Sequence, residues 1–222
     1  LAAALRIEGT NSGGIGAHLD AWLEDSAEAG WRLAQARPWL ISGAFDLHGL
    51  TWINALLSEH LRASVRLGGN LAGTVRIEGT PGSPSASGRF SGSDLRVAWI
   101  EQGVRLENGR LLAHLQDDLI VLDELHFSGP PRVQPEDRRA AAAAPADREG
   151  SVSANGRLRL GDFSGVIQVA ATHLPLLQRP DRWVIASGGG NIETSSKHIQ
   201  VNGAFAADAG FVGIARAELP SL

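Results

Sequence analysis

The chain has 222 residues, enough for one large all-β domain or two small ones, and 43% of them are hydrophobic, which is ample for a core. A net charge of −4 removes the electrostatic reason to expect nucleic acid, and the absence of cysteine removes disulfide frameworks and thiolate metal sites. Only 5% of residues are aromatic while 27 are glycine, a balance that suits many short strands with turns and bulges.

No run approaches the roughly 20 apolar residues that cross a bilayer as a helix, and no signal peptide is visible. The first residue is Leu1, so the chain is expected to be an excised piece of a longer protein whose targeting signals lie elsewhere. Two hexapeptides then set the pattern: Leu5-Arg6-Ile7-Glu8-Gly9-Thr10 and Val75-Arg76-Ile77-Glu78-Gly79-Thr80. Each alternates apolar with charged residues, which puts the two kinds on opposite faces of a strand. Their recurrence points to one kind of sheet built by repetition.

Between them, Ala17–Asp25 reads as strand or helix, while Trp31–Leu40 and Gly43–Leu47 read as extended. Thr51–Leu61 carries Ile53, Leu56, Leu57 and Leu61 three and four apart, which predicts a short amphipathic helix with Thr51 as N-cap. Leu71–Gly79 is a strand, followed by a turn rich in Pro81, Gly82, Ser83 and Pro84. Gly88–Phe90, Asp94–Ile100 and Val104–Leu106 follow. Asn108-Gly109 is a two-residue hairpin signal joining Gly103–Glu107 to Arg110–Leu115. After Gln116-Asp117-Asp118 comes Leu119–Ser128. Strand-length runs at such spacing predict an antiparallel meander.

From 129 to 150 the alternation fails: prolines bracket charged residues and the tract Ala140–Ala144, which is read as a flexible Pro/Ala-rich loop. Alternation resumes in Ser151–Leu160, Gly165–Thr172, Trp183–Ser187, Gly190–Thr194 and His198–Phe205. The loop is therefore expected to be an insertion in one continuing sheet, so that 1–222 form a single segment.

No catalytic, metal or cofactor site emerges. His114 and His126 fall on neighbouring strands without a third ligand at metal-site spacing. Ser187-Gly188-Gly189-Gly190 lacks the following helix of a phosphate loop and is read as a turn, and Gly14-Ile15-Gly16 fails likewise. Asp117-Asp118 and Asp123-Glu124 have no base or nucleophile placed around them and are read as turn and solvent-face residues.

Three stretches together resemble the TamB-like members of the AsmA-like superfamily. Leu67–Asp94 has that family's strand, Gly-Thr, Pro-containing turn and next strand. Leu174–Ser187 has Arg-Pro-Asp followed by a strand ending in Ser, and Val201–Leu222 has Asn-Gly-Ala-Phe-Ala-Ala-Asp-Ala-Gly with a closing Leu-Pro-Ser-Leu. The first 66 residues match less well, and the loop at 129–150 is a departure. The resemblance implies an internal or C-terminal-half fragment of a Gram-negative periplasmic protein, anchored to the inner membrane by parts outside this chain. It implies a long curled sheet with an apolar groove (a β-taco) that moves phospholipid between membranes without catalysis. It also implies a possible outer-membrane barrel partner, TamA, and a role in assembling autotransporters and other barrels.

On that reading the acyl-chain groove is lined by Leu71, Val75, Ile77, Leu95, Val97, Leu106, Leu111, Leu115, Leu158, Leu160, Ile167, Val169, Ile185, Val201 and Phe205. The small residues Gly73, Ala113, Ala154, Gly156 and Gly203 would keep it open. Alternation alone favours an ordinary packed core, as in a sandwich or filled barrel; the resemblance reverses that preference. Two rivals remain: assembly of outer-membrane strands by β-augmentation, and a β-helical or jelly-roll enzyme acting on glycans, which calls for clustered carboxylates and aromatics along a wet cleft.

Overall fold

A computed structural model describes residues 2–9, 13–20, 23–26, 30–33, 38–55, 59–80, 82–101, 103–129, 150–179, 182–196 and 198–212. Among these residues the alternating segments form thirteen strands. They are β1 (Ala2–Gly9), β2 (Gly13–Asp20), β3 (Leu23–Ser26), β4 (Gly30–Leu33), β5 (Trp39–Leu47), β6 (Val65–Thr80) and β7 (Ser83–Trp99). There follow β8 (Val104–Gln116), β9 (Leu119–Gly129), β10 (Gly150–Arg159), β11 (Gly165–Arg179), β12 (Arg182–Thr194) and β13 (Ile199–Val212). Eleven of them make one antiparallel sheet in chain order, from β1 at one end to β13 at the other, and β3 pairs with β4 in a separate ribbon. The fold is the all-β meander that the alternation predicts. Among the described residues the sheet is open: β1 and β13 do not pair with each other.

Where helix was expected at Thr51–Leu61 there are two shorter pieces: a 3-10 segment Leu50–Ala55 and helix α1 (Glu59–Ser64). Thr51 is not an N-cap; its hydroxyl donates to the Gly49 carbonyl at 3.2 Å. The 3-10 segment instead serves the sheet. β5 ends at Leu47 opposite Leu71, so the start of β6 extends past it. Asn54 covers that exposed edge, its amide donating to the Leu67 carbonyl at 2.9 Å and its oxygen accepting from the Leu67 N–H at 2.8 Å. The side-chain amide thus supplies the donor and acceptor that a neighbouring strand would have given.

Two turn predictions are corrected. Asn108-Gly109 lies inside β8, not at a hairpin tip. Asn108 has the left-handed φ of +54° that a hairpin turn needs, but here it makes a bulge: the register passes from Glu107 opposite Ser128 to Arg110 opposite His126. Gly109 is buried because Phe127 and Leu95 occupy the space a side chain would need. Ser187–Gly190 likewise lies within β12, where Gly188 and Gly190 pair with Phe205 and Gly203 on one side and with Ala171 and Val169 on the other. Glycine there allows close approach of backbones and marks no turn. Merging segments across such sites lengthens the strands: β11 runs through Pro175, and β7 through Asp94, at φ +50°.

Residues 130–149, most of the predicted loop, lie outside the described residues. Gly129 and Gly150 face each other in register, so β9 and β10 are direct neighbours. Below these two strand ends β8 and β11 converge, and Gly103, at φ +69°, lies against the backbone of Gln178. The sheet is therefore curled, bringing the start of β8 to the end of β11 across the two strands between them.

Candidate functional site

Antiparallel partners share a face, so the registers can be followed from strand to strand across the sheet. One row reads Ile15, Phe45, Gly73, Phe90, Ala113, Leu122, Gly156, Ile167, Ile192, Val201. The next on one side reads Ala17, Gly43, Val75, Gly88, Leu115, Ile120, Leu158, Gly165, Thr194, Ile199. On the other side lie Leu47, Leu71, Gly92, Leu111, Leu125, Ala154, Val169, Gly190 and Gly203. A shorter row, Phe127, Val152, Ala171, Gly188 and Phe205, follows it. Thr194 is the sole polar residue in these four rows. Nine strand spacings of about 4.8 Å, from β2 to β13, make the full rows about 43 Å long.

These rows bring together Leu71, Val75, Leu111, Leu115, Leu158, Ile167, Val169, Val201 and Phe205 from the sequence-derived lining. Ile77 stands one row further, between Ile41 and Ala86. Leu95 packs beside Gly92 and Gly109, and Val97 pairs with Leu67 and Leu106. Two residues are placed otherwise. Leu160 sits in the turn after β10, 40% exposed. Ile185 is wholly buried and alternates out of phase with Ala186, Gly188, Gly190 and Ile192.

Burial is uneven along the apolar face. Phe127, Ala154, Ala171 and Ala186 are buried, and Trp183 and Ile185 are fully buried on the opposite phase of β12, so the first half of that strand is covered on both faces. Most positions from β5 to β11 are half-buried. At β13, Val201 and Phe205 are 71% and 51% exposed. Gly73 does not leave a gap. Phe45 and Phe90 close over it, their rings stacked 6.1 Å apart at 25°.

The opposite face carries the charge. Arg76 and Glu78 pair at 2.8 Å, His18 and Asp20 at 3.1 Å, and Arg159 and Asp118 at 3.3 Å. His114 does not meet His126; its Nδ1 lies 2.7 Å from Asp123, the extra residue of a bulge in β9, and His126 faces Arg110. A hollow of about 1910 Å³ lies across this part of the sheet. It is bordered by Gly14–His18, Ser42–Asp46, Ala72–Arg76, Ser87–Ser91, Leu112–Gln116 and Asp123. Every run begins and ends on the charged face, and Ile120 and Leu122, the apolar-face neighbours of Leu115 and Ala113, do not border it. Residues of both faces border it, Phe45, Val75, Phe90 and Leu115 of the apolar rows among them. Sequence alternation could not reveal such a hollow, because sheet curvature is set by bulges and twist.

Ser187, His173 and Asp208 cluster where β11 and β13 each bulge against β12. The Ser187 hydroxyl donates to Asp208 at 2.5 Å and accepts the backbone N–H of His173 at 2.9 Å. The serine hydroxyl points at a carboxylate and the histidine N–H at the serine oxygen, a geometry that ties the two bulges together. Among the described residues no three His, Asp or Glu side chains gather as metal ligands. Asp162 accepts from the Ser164 hydroxyl at 2.6 Å and from its N–H at 3.0 Å, which holds the carboxyl below its ordinary pKa. No protein-family model, curated protein or solved structure matches the chain.

Proposed function

We propose that the apolar face is a binding track for phospholipid acyl chains, and that the chain is a lipid-conducting segment of a TamB-like periplasmic bridge. What carries this reading is the full-width apolar rows, which hold one polar residue between β2 and β13 while charged pairs stand on the other face. An acyl chain offers no hydrogen bond and gains roughly 0.8 kcal/mol for each methylene fully buried. A surface on which it slides needs continuous apolar contact and no polar anchor. The half-buried side chains of β5 to β11 leave apolar area for such a guest to cover. The packed region around Phe127 and Ala186 would bound the track at the curled end.

The test is native mass spectrometry of the purified chain together with photo-crosslinking from single positions. Val75 and Leu158 are expected to label acyl chains, and Arg76 and Glu78 are not. Equal labelling of both faces, or no lipid at either, would sink the reading. Assembly of outer-membrane strands with a barrel partner is the second reading, favoured by the antiparallel sheet in which β13 is the last strand among the described residues.

A further inference from the structure

We infer that the turn between β7 and β8 is a membrane-surface anchor, which seats Trp99 and Ile100 in the headgroup layer of an anionic bilayer. These two residues are 48% and 54% exposed at the crest of the turn. The crest is braced. The Gly103 N–H donates to the Ile100 carbonyl at 3.2 Å, and the Ile100 N–H donates to the Ser64 carbonyl at 2.8 Å. Ser64 is itself buried, and its hydroxyl donates to Glu101 at 2.7 Å, which ties the turn to the end of α1. Tryptophan favours the boundary between lipid and water, where its ring is shielded and its N–H stays wet.

Arginines stand behind the crest. Ala98 lies between Arg66 and Arg105 in register, and Arg96 is two residues further back on β7. At about 3.3 Å per residue, these positions lie roughly 7 and 13 Å behind Ile100. Gly103 lies against the backbone of Gln178, which sets Arg179 at the same end of the sheet. All four arginines are exposed, and among the described residues none has a carboxylate within ion-pair distance. Of the acids here, Glu101 is engaged by Ser64, and Glu107 lies beyond Leu106 at the β8 bulge. Such guanidinium groups can reach lipid phosphates while their stems follow apolar surface. The turns at the other end of the sheet, after β8 and β10, carry Asp117, Asp118 and Asp162, so the two ends differ in charge. An acidic protein would match the arginines but not the exposed Trp99 and Ile100; an anionic bilayer matches both. None of this depends on what the apolar rows carry.

Vesicle flotation of the whole 222-residue chain provides the test, with phosphatidylcholine vesicles alone or mixed with anionic phosphatidylglycerol. The chain should float with the anionic vesicles and release as salt is raised. Arg96→Gln with Arg105→Gln should weaken that binding about tenfold or more, since each basic group near the surface contributes separately. Ile100→Asp should weaken it similarly, with near-UV circular dichroism checking that both variants keep their fold. The chain has no cysteine, so single cysteines can report position. A polarity-sensitive dye on Ile100→Cys should shift to the blue on anionic vesicles. The same dye on Gly82→Cys, in the open β6–β7 turn at the other end, should not. No flotation, equal flotation with neutral vesicles, undiminished binding in the folded arginine variant, or an equal dye shift at Gly82 would each overturn the proposal.

Discussion

Val75→Arg isolates the apolar track from the fold that presents it. Val75 stands between Gly43 and Gly88 in its row, so an arginine has lateral room to lie along the sheet and raise its guanidinium to water. Val75 is only half-buried, so losing it should cost about 1 kcal/mol of stability, well below a core deletion. The effect on a guest is larger. A hydrated guanidinium displaces roughly three or four methylenes from contact; at about 0.8 kcal/mol each this is near 3 kcal/mol, or about a hundredfold in occupancy. Thr74→Arg, one residue away on the charged face and already exposed, is the matched control. Lipid retained after purification, quantified by native mass spectrometry, should fall for Val75→Arg and stay unchanged for Thr74→Arg. A folded Val75→Arg protein with undiminished lipid would refute the reasoning, and so would an equal loss in the control.

Three other outcomes follow from local geometry. Gly73→Val should destabilise by about 1–3 kcal/mol in urea unfolding, because its Cβ would lie 2.6 Å from Phe45 and 2.8 Å from Phe90; a neutral effect would mean that the rings do not close over the glycine. Asn54→Ala should lose about 1–3 kcal/mol by stranding the Leu67 N–H and carbonyl, and should raise amide exchange at Leu67 first. The Asp162 carboxyl should titrate below 3.8 by NMR and move upward in Ser164→Ala. Since its folded value is depressed, its contribution is present above that pH and lost as pH falls through the folded value; a midpoint at or above 3.8 in the native chain would contradict the hydrogen bonding described.

Alternation made the fold class legible, because a period of two is a local property that each strand states for itself. It also set most of the lining residues on one face. It failed where a residue type serves two geometries. Asn108-Gly109 and Ser187–Gly190 carry the conformational signals of turns, yet within a sheet the same signals make a bulge and a close backbone approach. It failed again at Ile185, whose burial results from coverage on the phase opposite Gly188. The spacing around Thr51–Leu61 predicted a single amphipathic helix where the described residues form a 3-10 segment and a short helix, and Asn54 was invisible as an edge cap because its partner, Leu67, lies on another element. The curl of β8 toward β11 depends on Gly103 and on where β9 and β10 stop, neither of which has a periodic signature.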